Sequence, residues 1–368
     1  MKKIKECSCG NRNPFHCIVP PYMLEAMATS SNEVVRMRAI KNMETAAEIR
    51  TERRLIWPET VASILTNKEG KYREVYDMQN KPNRRDLMPG KLERWEGEEP
   101  VNDPAVNEAY DYSGHTYNFF YEIFNRDSLD DNGLTLISSV HLDVNYNNAF
   151  WNGSQMAYGD GDGIIFHRFT KGLDVIGHEL THGIISYTSR LVYRDEAGAI
   201  NEHLADVFGS LVKQWILKQD ADSADWLIGN DIIIPAPTRR GIRDMKNPGT
   251  AYINDPDLNG TDPQPDHISN KYTGMQDNGG VHINSGIPNK AFCETAIAIG
   301  GYSWEKAGRI WYEAMLQLTP ESNFERLVKL TKDISIKFYG PGSDEFKAVV
   351  HGWETVGLND VNYDYYSL

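Results

Sequence analysis

His178 and His182 stand four residues apart, with Glu179 directly after the first, in the stretch Gly-His-Glu-Leu-Thr-His-Gly at 177–183. On an α-helix, positions i and i+4 share a face, so both imidazoles can address one metal ion. Glu179 projects near that point without needing to ligate it. This spacing builds half of a hydrolytic zinc site, with the carboxylate as candidate general base for a metal-activated water. A catalytic zinc needs three protein ligands and an open fourth position. Glu202 lies twenty residues after His182, at the head of another helical pattern, a feasible distance for two helices to cross at a shared ion. Asp206, one turn further on, could accept the second ring N–H of a ligand histidine and so fix its tautomer.

The elements that must carry these groups are visible in the periodicity. The His178 helix is expected from about 174 to 186 and the Glu202 helix from about 198 to 218. Alternation in Tyr72-Arg73-Glu74-Val75-Tyr76-Asp77 predicts a strand, 107–124 an aromatic-rich helix and 135–144 a further strand. Residues 147–153 read as an edge stretch, and 156–163 as a glycine-rich turn whose Asp-x-Asp-Gly lacks the closing Glu of a calcium loop. Residues 219–275 are irregular, and helical patterns return over 290–299, 304–318, 323–339 and 343–353. The expected fold class is α+β in two lobes. A mixed, β-rich N-terminal lobe (55–187) ends in the His178 helix, a mainly α-helical lobe (188–358) follows, and 359–368 form a tail.

The first 54 residues read differently. Pro20 and Pro21 stiffen an extended apolar patch, Pro20-Pro21-Tyr22-Met23-Leu24. Beyond it, Val34, Met37, Ile40, Met43 and Ala47 recur at three- and four-residue steps and predict the buried face of a helix. No independent core is visible, so this segment is expected to pack on the remainder. It carries ten Lys/Arg against six Asp/Glu, a charge of +4, whereas the whole chain carries −14 and the remainder therefore −18. A basic arm can dock on an acidic body.

The acidic balance argues against nucleic acid and anionic membranes as partners, and no apolar run reaches the ~18 residues of a membrane span. Three of the four cysteines fall in the first seventeen residues, so no disulfide framework is expected in the body. The N-terminus is basic but has no apolar segment after it, so a Sec signal peptide is not expected, and location stays open.

His-Glu-Leu-Thr-His, then Gly-Ala-Ile-Asn-Glu-His-Leu-Ala-Asp at 198–206, then Asp-Asn-Gly-Gly-Val-His-Ile-Asn-Ser-Gly at 277–286, in this order, resemble the thermolysin family of neutral zinc endopeptidases. The 147–163 stretch resembles the strand and turn before that family's active-site helix, and the likeness covers roughly 70–358. The short leader with Pro20–Leu24 looks like the protealysin subgroup, with a propeptide of about fifty residues. The resemblance implies a zymogen whose cleavage falls between about 45 and 60, near Arg50, Arg53 and Arg54. It implies one catalytic Zn²⁺ held by His178, His182 and Glu202, with Glu179 as base. Asp206 and Asn201 would orient His178 and His182, and His282, held by Asp277, would act with Tyr193 as oxyanion donor. Asn148, Ala149 and Arg243 would hold the substrate backbone. Phe166, Phe169, Val175 and Ile242 would line the pocket for a hydrophobic residue after the scissile bond. Peptide and protein substrates, and the chain's own propeptide with a Pro20–Leu24 plug near the zinc, are the implied partners.

Two departures stand out. His203 follows the ligand Glu202 where the family has a small residue, and is expected to point elsewhere. Lys213 replaces an acidic calcium ligand of thermolysin, so Ca²⁺ there is doubtful, and an ion pair with Asp174 is expected instead. A zinc-holding scaffold without turnover and an exopeptidase are the rival readings, separable by Glu179→Gln and by blocked internal peptides.

Overall fold

A computed structural model of the chain describes residues 17–55, 70–84 and 87–358, without the side chains of 48–55. Cys7, Cys9 and His16, residues 56–60 and the arginine side chains of the expected processing zone, and the tail at 359–368 lie outside the described residues.

The chain enters at Cys17 in extended form and turns into α1 (Pro21–Met27), with proline at the first helical position, where no N–H is required. α2 (Glu33–Leu55) follows after a break at 28–32. The expected face of α2 is not the one buried. Val34, Met37 and Ile40 are exposed, while Val35, Ala39, Asn42 and Ala46 face the protein. The helix docks by small residues and polar contacts. Asn42 Nδ2 donates to the Asn145 carbonyl at 3.2 Å, the Asn147 N–H donates to Asn42 Oδ1 at 2.6 Å, and Thr45 Oγ1 donates to Asp143 Oδ2 at 3.0 Å.

The sheet has the order β2-β1-β3-β5-β4, from β1 (Arg73–Asp77), β2 (Lys91–Trp95), β3 (Leu136–Val140), β4 (Ala149–Trp151) and β5 (Met156–Tyr158). β1, β3 and β5 run parallel, and the outer strands β2 and β4 pair antiparallel. The strand expected over 135–144 ends at Val140, because His141, Asp143 and Asn145 adopt left-handed φ of 53–55° and lead the chain out of the sheet. β4 is an edge, free to pair on its outer side. α3 (Pro104–Phe124), capped by Asp103, packs against the sheet and sends its aromatic face into the core.

α4 (Leu173–Tyr187) and α5 (Asp195–Leu217) form the spine. They cross where Gly177 meets Gly209: a Cβ on Gly177 would lie 3.1 Å from the Gly209 Cα, and one on Gly209 would lie 2.5 Å from the Asp174 carbonyl. Only backbone fits between them. The irregular region beyond holds β6 (Leu227–Ile228) paired with β7 (Arg243–Asp244). Then come α6 (Gln276–Asn284), α7 (Gly286–Ile299), α8 (Ala307–Gln317), α9 (Phe324–Tyr339) and α10 (Asp344–Thr355), close to the expected helices. One continuous core joins both halves and includes Ile18, Val19, Met23, Leu24, Met27 and Val35 of the leader. Among the described residues no helix is long and apolar enough to cross a membrane.

Candidate metal centre and cleft

His178 and His182 lie on the buried face of α4, with their Nε2 atoms 3.0 Å apart. The crossing at Gly177 and Gly209 brings Glu202 of α5 to them, Oε2 at 3.5 Å from His178 Nε2 and Oε1 at 3.4 Å from His182 Nε2. All three side chains are fully buried. The other ring nitrogens face acceptors: His178 Nδ1 sits 2.9 Å from Asp206 Oδ1, and His182 Nδ1 sits 2.8 Å from Asn201 Oδ1. Each imidazole therefore keeps its proton on Nδ1 and turns a lone pair inward. Two lone pairs and Glu202 Oε2, an oxygen with no hydrogen-bond partner, converge. A divalent cation resolves that arrangement, and two imidazoles with one carboxylate suit zinc. This is the one such cluster among the described residues.

Glu179 sits beside the cluster, its Oε2 accepting from the Trp151 N–H of β4 at 3.0 Å. Burial, then the Glu202 charge, raise its pKa well above the carboxylate range, while the Trp151 and Ile18 N–H groups oppose the shift. On the far side, residues 277–280 all adopt positive φ, a left-handed turn that delivers His282 to the cleft. Asp277 fastens that turn, its Oδ1 2.6 Å from His282 Nδ1 and its Oδ2 accepting the His282 N–H at 2.8 Å. Burial alone would lower the His282 pKa, but Glu202 and Asp277 raise it to about 9, which favours the protonated ring. The Tyr193 hydroxyl donates to Glu202 Oε1 and lies 3.0 Å from His282 Nε2.

Asp206 is fully buried and serves two partners. Arg243 Nε and Nη2 donate to its Oδ2 and Oδ1 at 2.9 and 2.8 Å, while His178 Nδ1 contacts Oδ1. Burial pushes the Asp206 pKa up, but the Arg243 charge and the hydrogen bond from His178 outweigh it and hold the carboxyl well below its usual range. Asn289 is a third partner, its Nδ2 donating to Oδ2 at 2.9 Å. Asn289 is in turn held by His203 Nδ1 at 2.8 Å, and His203 Nε2 accepts from Trp311 Nε1 at 2.8 Å. His203 thus points away from the cluster, as expected, and burial keeps it neutral with a pKa near 4. Nothing in the sequence singled out Asn289, since its role depends on α7 lying against α5.

The cleft residues expected to hold a peptide backbone do hold one, that of the leader. The Ile18 N–H donates to the Ala149 carbonyl at 3.3 Å, and Arg243 Nη1 donates to the Ile18 carbonyl at 3.0 Å. Asn148 grips Val19 twice, accepting its N–H at 3.0 Å and donating to its carbonyl at 3.2 Å. His282 Nε2 lies 3.2 Å from the Cys17 carbonyl. The leader residues that these groups bond are therefore Cys17, Ile18 and Val19, rather than the expected Pro20–Leu24. Proline has no N–H to give an edge strand, so Pro20 and Pro21 instead open α1, which buries Met23 and Leu24, with the Tyr22 hydroxyl among Tyr252, Asp262, Asp277 and Arg243. Phe166, Phe169, Val175 and Ile242 are all fully buried, with the two phenyl rings 5.4 Å apart.

Lys213 departs from expectation in its partners. Its Nζ reaches Asn230 Oδ1 at 2.6 Å, Asp225 at 3.3 Å and Asp231 at 3.5 Å. Asp174 instead accepts the Gly229 N–H at 2.7 Å and acts on Lys213 only through its charge.

The family described as "Thermolysin metallopeptidase, catalytic domain" matches residues 58–186, and its "alpha-helical domain" matches 189–358. The chain belongs to the thermolysin metallopeptidase family. As a thermolysin-family member it is a zinc metalloendopeptidase, with the zinc site at His178, His182 and Glu202. It is 43% identical to an "Extracellular metalloprotease" of Pectobacterium carotovorum over 94% of this chain and 97% of that one. It is 40% identical to a "Thermolysin" of Alicyclobacillus acidocaldarius over 77% of this chain, though only 50% of that one. The solved precursor of protealysin from Serratia proteamaculans superposes with a TM-score of 0.83 at 42% identity, over 93% of this chain and 99% of that one. The thermolysin-like fold thus accounts for both the mixed sheet and the helical C-terminal part.

Proposed function

We propose that this chain is the latent form of the endopeptidase, with residues up to about 54 as a propeptide that occupies the cleft between lobes 55–187 and 188–358. The observation that carries this reading is the set of hydrogen bonds from Asn148, Ala149, Arg243 and His282 to the leader backbone at 17–19. Those groups would otherwise hold substrate. When bound, zinc supplies a Lewis acid at the meeting point of His178, His182 and Glu202.

The chain's residues then divide the work. Asn148 and Ala149 align a substrate segment as an added strand on β4, and Arg243 grips the carbonyl after the scissile bond. Glu179, held by the Trp151 N–H and raised by burial, accepts a proton from the attacking water and returns it to the leaving amine. His282, kept charged by Asp277, and Tyr193 donate to the oxygen on which negative charge develops. The pocket of Phe166, Phe169, Val175 and Ile242 favours a hydrophobic residue after the scissile bond, and fully buried Ile18 occupies the corresponding chain position in the leader.

The test compares full-length protein with protein whose leader has been removed, on a blocked internal peptide. Removal is expected to raise the rate at least tenfold, and Glu179→Gln to abolish turnover while zinc is retained. Full activity of the intact chain would refute latency.

A further inference from the structure

Cys17 and Ile18 meet at a peptide bond whose every polar atom is placed. Its carbonyl oxygen faces His282 Nε2 at 3.2 Å, and its N–H is held by the Ala149 carbonyl at 3.3 Å. The next carbonyl, that of Ile18, goes to Arg243, and both backbone groups of Val19 go to Asn148. This is the polarity of a substrate: carbonyl toward the oxyanion donors, amide nitrogen toward β4 and Glu179, following residue in the apolar interior. Pro20 and Pro21 also bar any shift that would present a later bond. Sliding the segment by one residue would put Pro20 where the Val19 N–H serves Asn148, and sliding by two would put it where the Ile18 N–H serves Ala149. Proline can do neither.

We infer that the enzyme hydrolyses its own Cys17–Ile18 bond. The inference rests on the roles proposed above for Glu179 and His282. Water adds across the bond: its oxygen joins the Cys17 carbonyl carbon, the C–N bond breaks, and Glu179 passes the water proton to the Ile18 nitrogen. Cys17 becomes a C-terminal carboxylate, Ile18 a new α-amino terminus, and no other reactant is needed. The cut does not open the cleft. The bonds from Arg243 to Ile18 and from Asn148 to Val19 all lie on the retained side. The new amino group forms beside Glu179, to which the Ile18 nitrogen already donates. The leader thereby changes from a bound substrate to a bound product that still fills the site.

The test incubates zinc-loaded full-length protein, quenches samples with chelator, and reads intact mass and N-terminal sequence, with a blocked hydrophobic reporter peptide assayed in parallel on protein whose leader has been removed. Expected is a species beginning at Ile18, forming at a rate independent of protein concentration and absent in Glu179→Gln. Ile18→Glu, which forces a charge into the apolar interior, should lose that species while the reporter is still cut. Leader-free wild-type protein that cuts the reporter, while the full-length protein keeps its Cys17–Ile18 bond, overturns the inference alone. So does a species starting at Ile18 that forms equally in Glu179→Gln. If neither the chain nor the reporter is cut, the catalytic roles fail together with it.

Discussion

Arg243 and Asp206 form a fully buried, bidentate ion pair, and the same carboxylate contacts the zinc-ligand histidine His178. The guanidinium also reaches the Ile18 carbonyl through Nη1. Metal ligand and peptide-binding cation are thus set against each other by one carboxylate, so neither can move without the other.

Removing the cation from this pair leaves Asp206 buried with only His178 and Asn289. Arg243→Met is expected to cost about 3–5 kcal/mol in urea unfolding of the full-length protein. It should also lower kcat/KM on a reporter peptide by roughly 100-fold through misplacement of the bound carbonyl. Arg243→Lys should recover part of the stability but little of the activity, because an ammonium cannot span both oxygens. An Arg243→Met protein as stable as wild type would show that the pair does not organise the site.

The distance between the ligands is set where Gly177 and Gly209 touch. Gly209→Ala places a methyl 2.5 Å from the Asp174 carbonyl oxygen, so α4 and α5 must separate. A loss of about 1–3 kcal/mol is expected from such overpacking. Zinc should also leave faster on exposure to a chelator, measured by metal content over time. An unchanged release rate would mean that the metal site does not depend on this crossing.

Lys213 stands among Asp174, Asp225 and Asp231, with Nζ near Asn230. The chain is expected to gain no thermal stability from millimolar Ca²⁺. Lys213→Glu should be less stable without added ion and should recover on calcium titration, since four carboxylates would then share the site. A large calcium-dependent rise in the wild-type Tm would contradict this.

His141 links three segments: its Nδ1 lies 2.8 Å from Asp160 Oδ1, and its Nε2 lies 2.7 Å from Asp103 Oδ2 at the start of α3. Its hydrogen bond to Asp160, opposed by burial and helped by Asp103, raises its pKa to about 9. A folded pKa above the unfolded value of ~6.5 means stability fully present below pH 6.5 and lost as pH rises through 9. Thermal unfolding should therefore show a Tm decline between pH 7 and 9.5 that is shallower in His141→Gln. Parallel declines in the two proteins would remove His141 as the cause.

Much of the zinc cluster was legible because its parts are local or ordered: His178 and His182 lie one turn apart, and Glu202 opens the next helical pattern. The strand near 73–77, the edge stretch at 149–151 and the later helices were legible for the same reason, whereas β5 was not, since Met156–Tyr158 reads as the start of a glycine-rich turn. What could not be read depends on approach between distant backbones. The glycine contact at 177 and 209 leaves no pattern in either helix. Nor does the bond from Asn289 to Asp206. In α2 the periodicity favoured Val34, Met37 and Ile40, yet an acidic, polar-lined landing surface selected Ala39, Asn42 and Thr45. The leader residues bonded to β4 and Asn148 are Ile18 and Val19 rather than the apolar Pro20–Leu24, because an edge strand selects residues with N–H groups.

Lys213 is covalently attached, and this separates two dependencies that a bound ion would join. A dissolved ion must be supplied by the surroundings and can be stripped from them; a side chain cannot diffuse away. The corner of the molecule around Asp225 and Asp231 therefore holds its charge balance in any medium, whatever the ambient hardness of the water. Among the described residues, sequestration of metals would then strike at His178, His182 and Glu202, silencing the enzyme while leaving this corner as it stands.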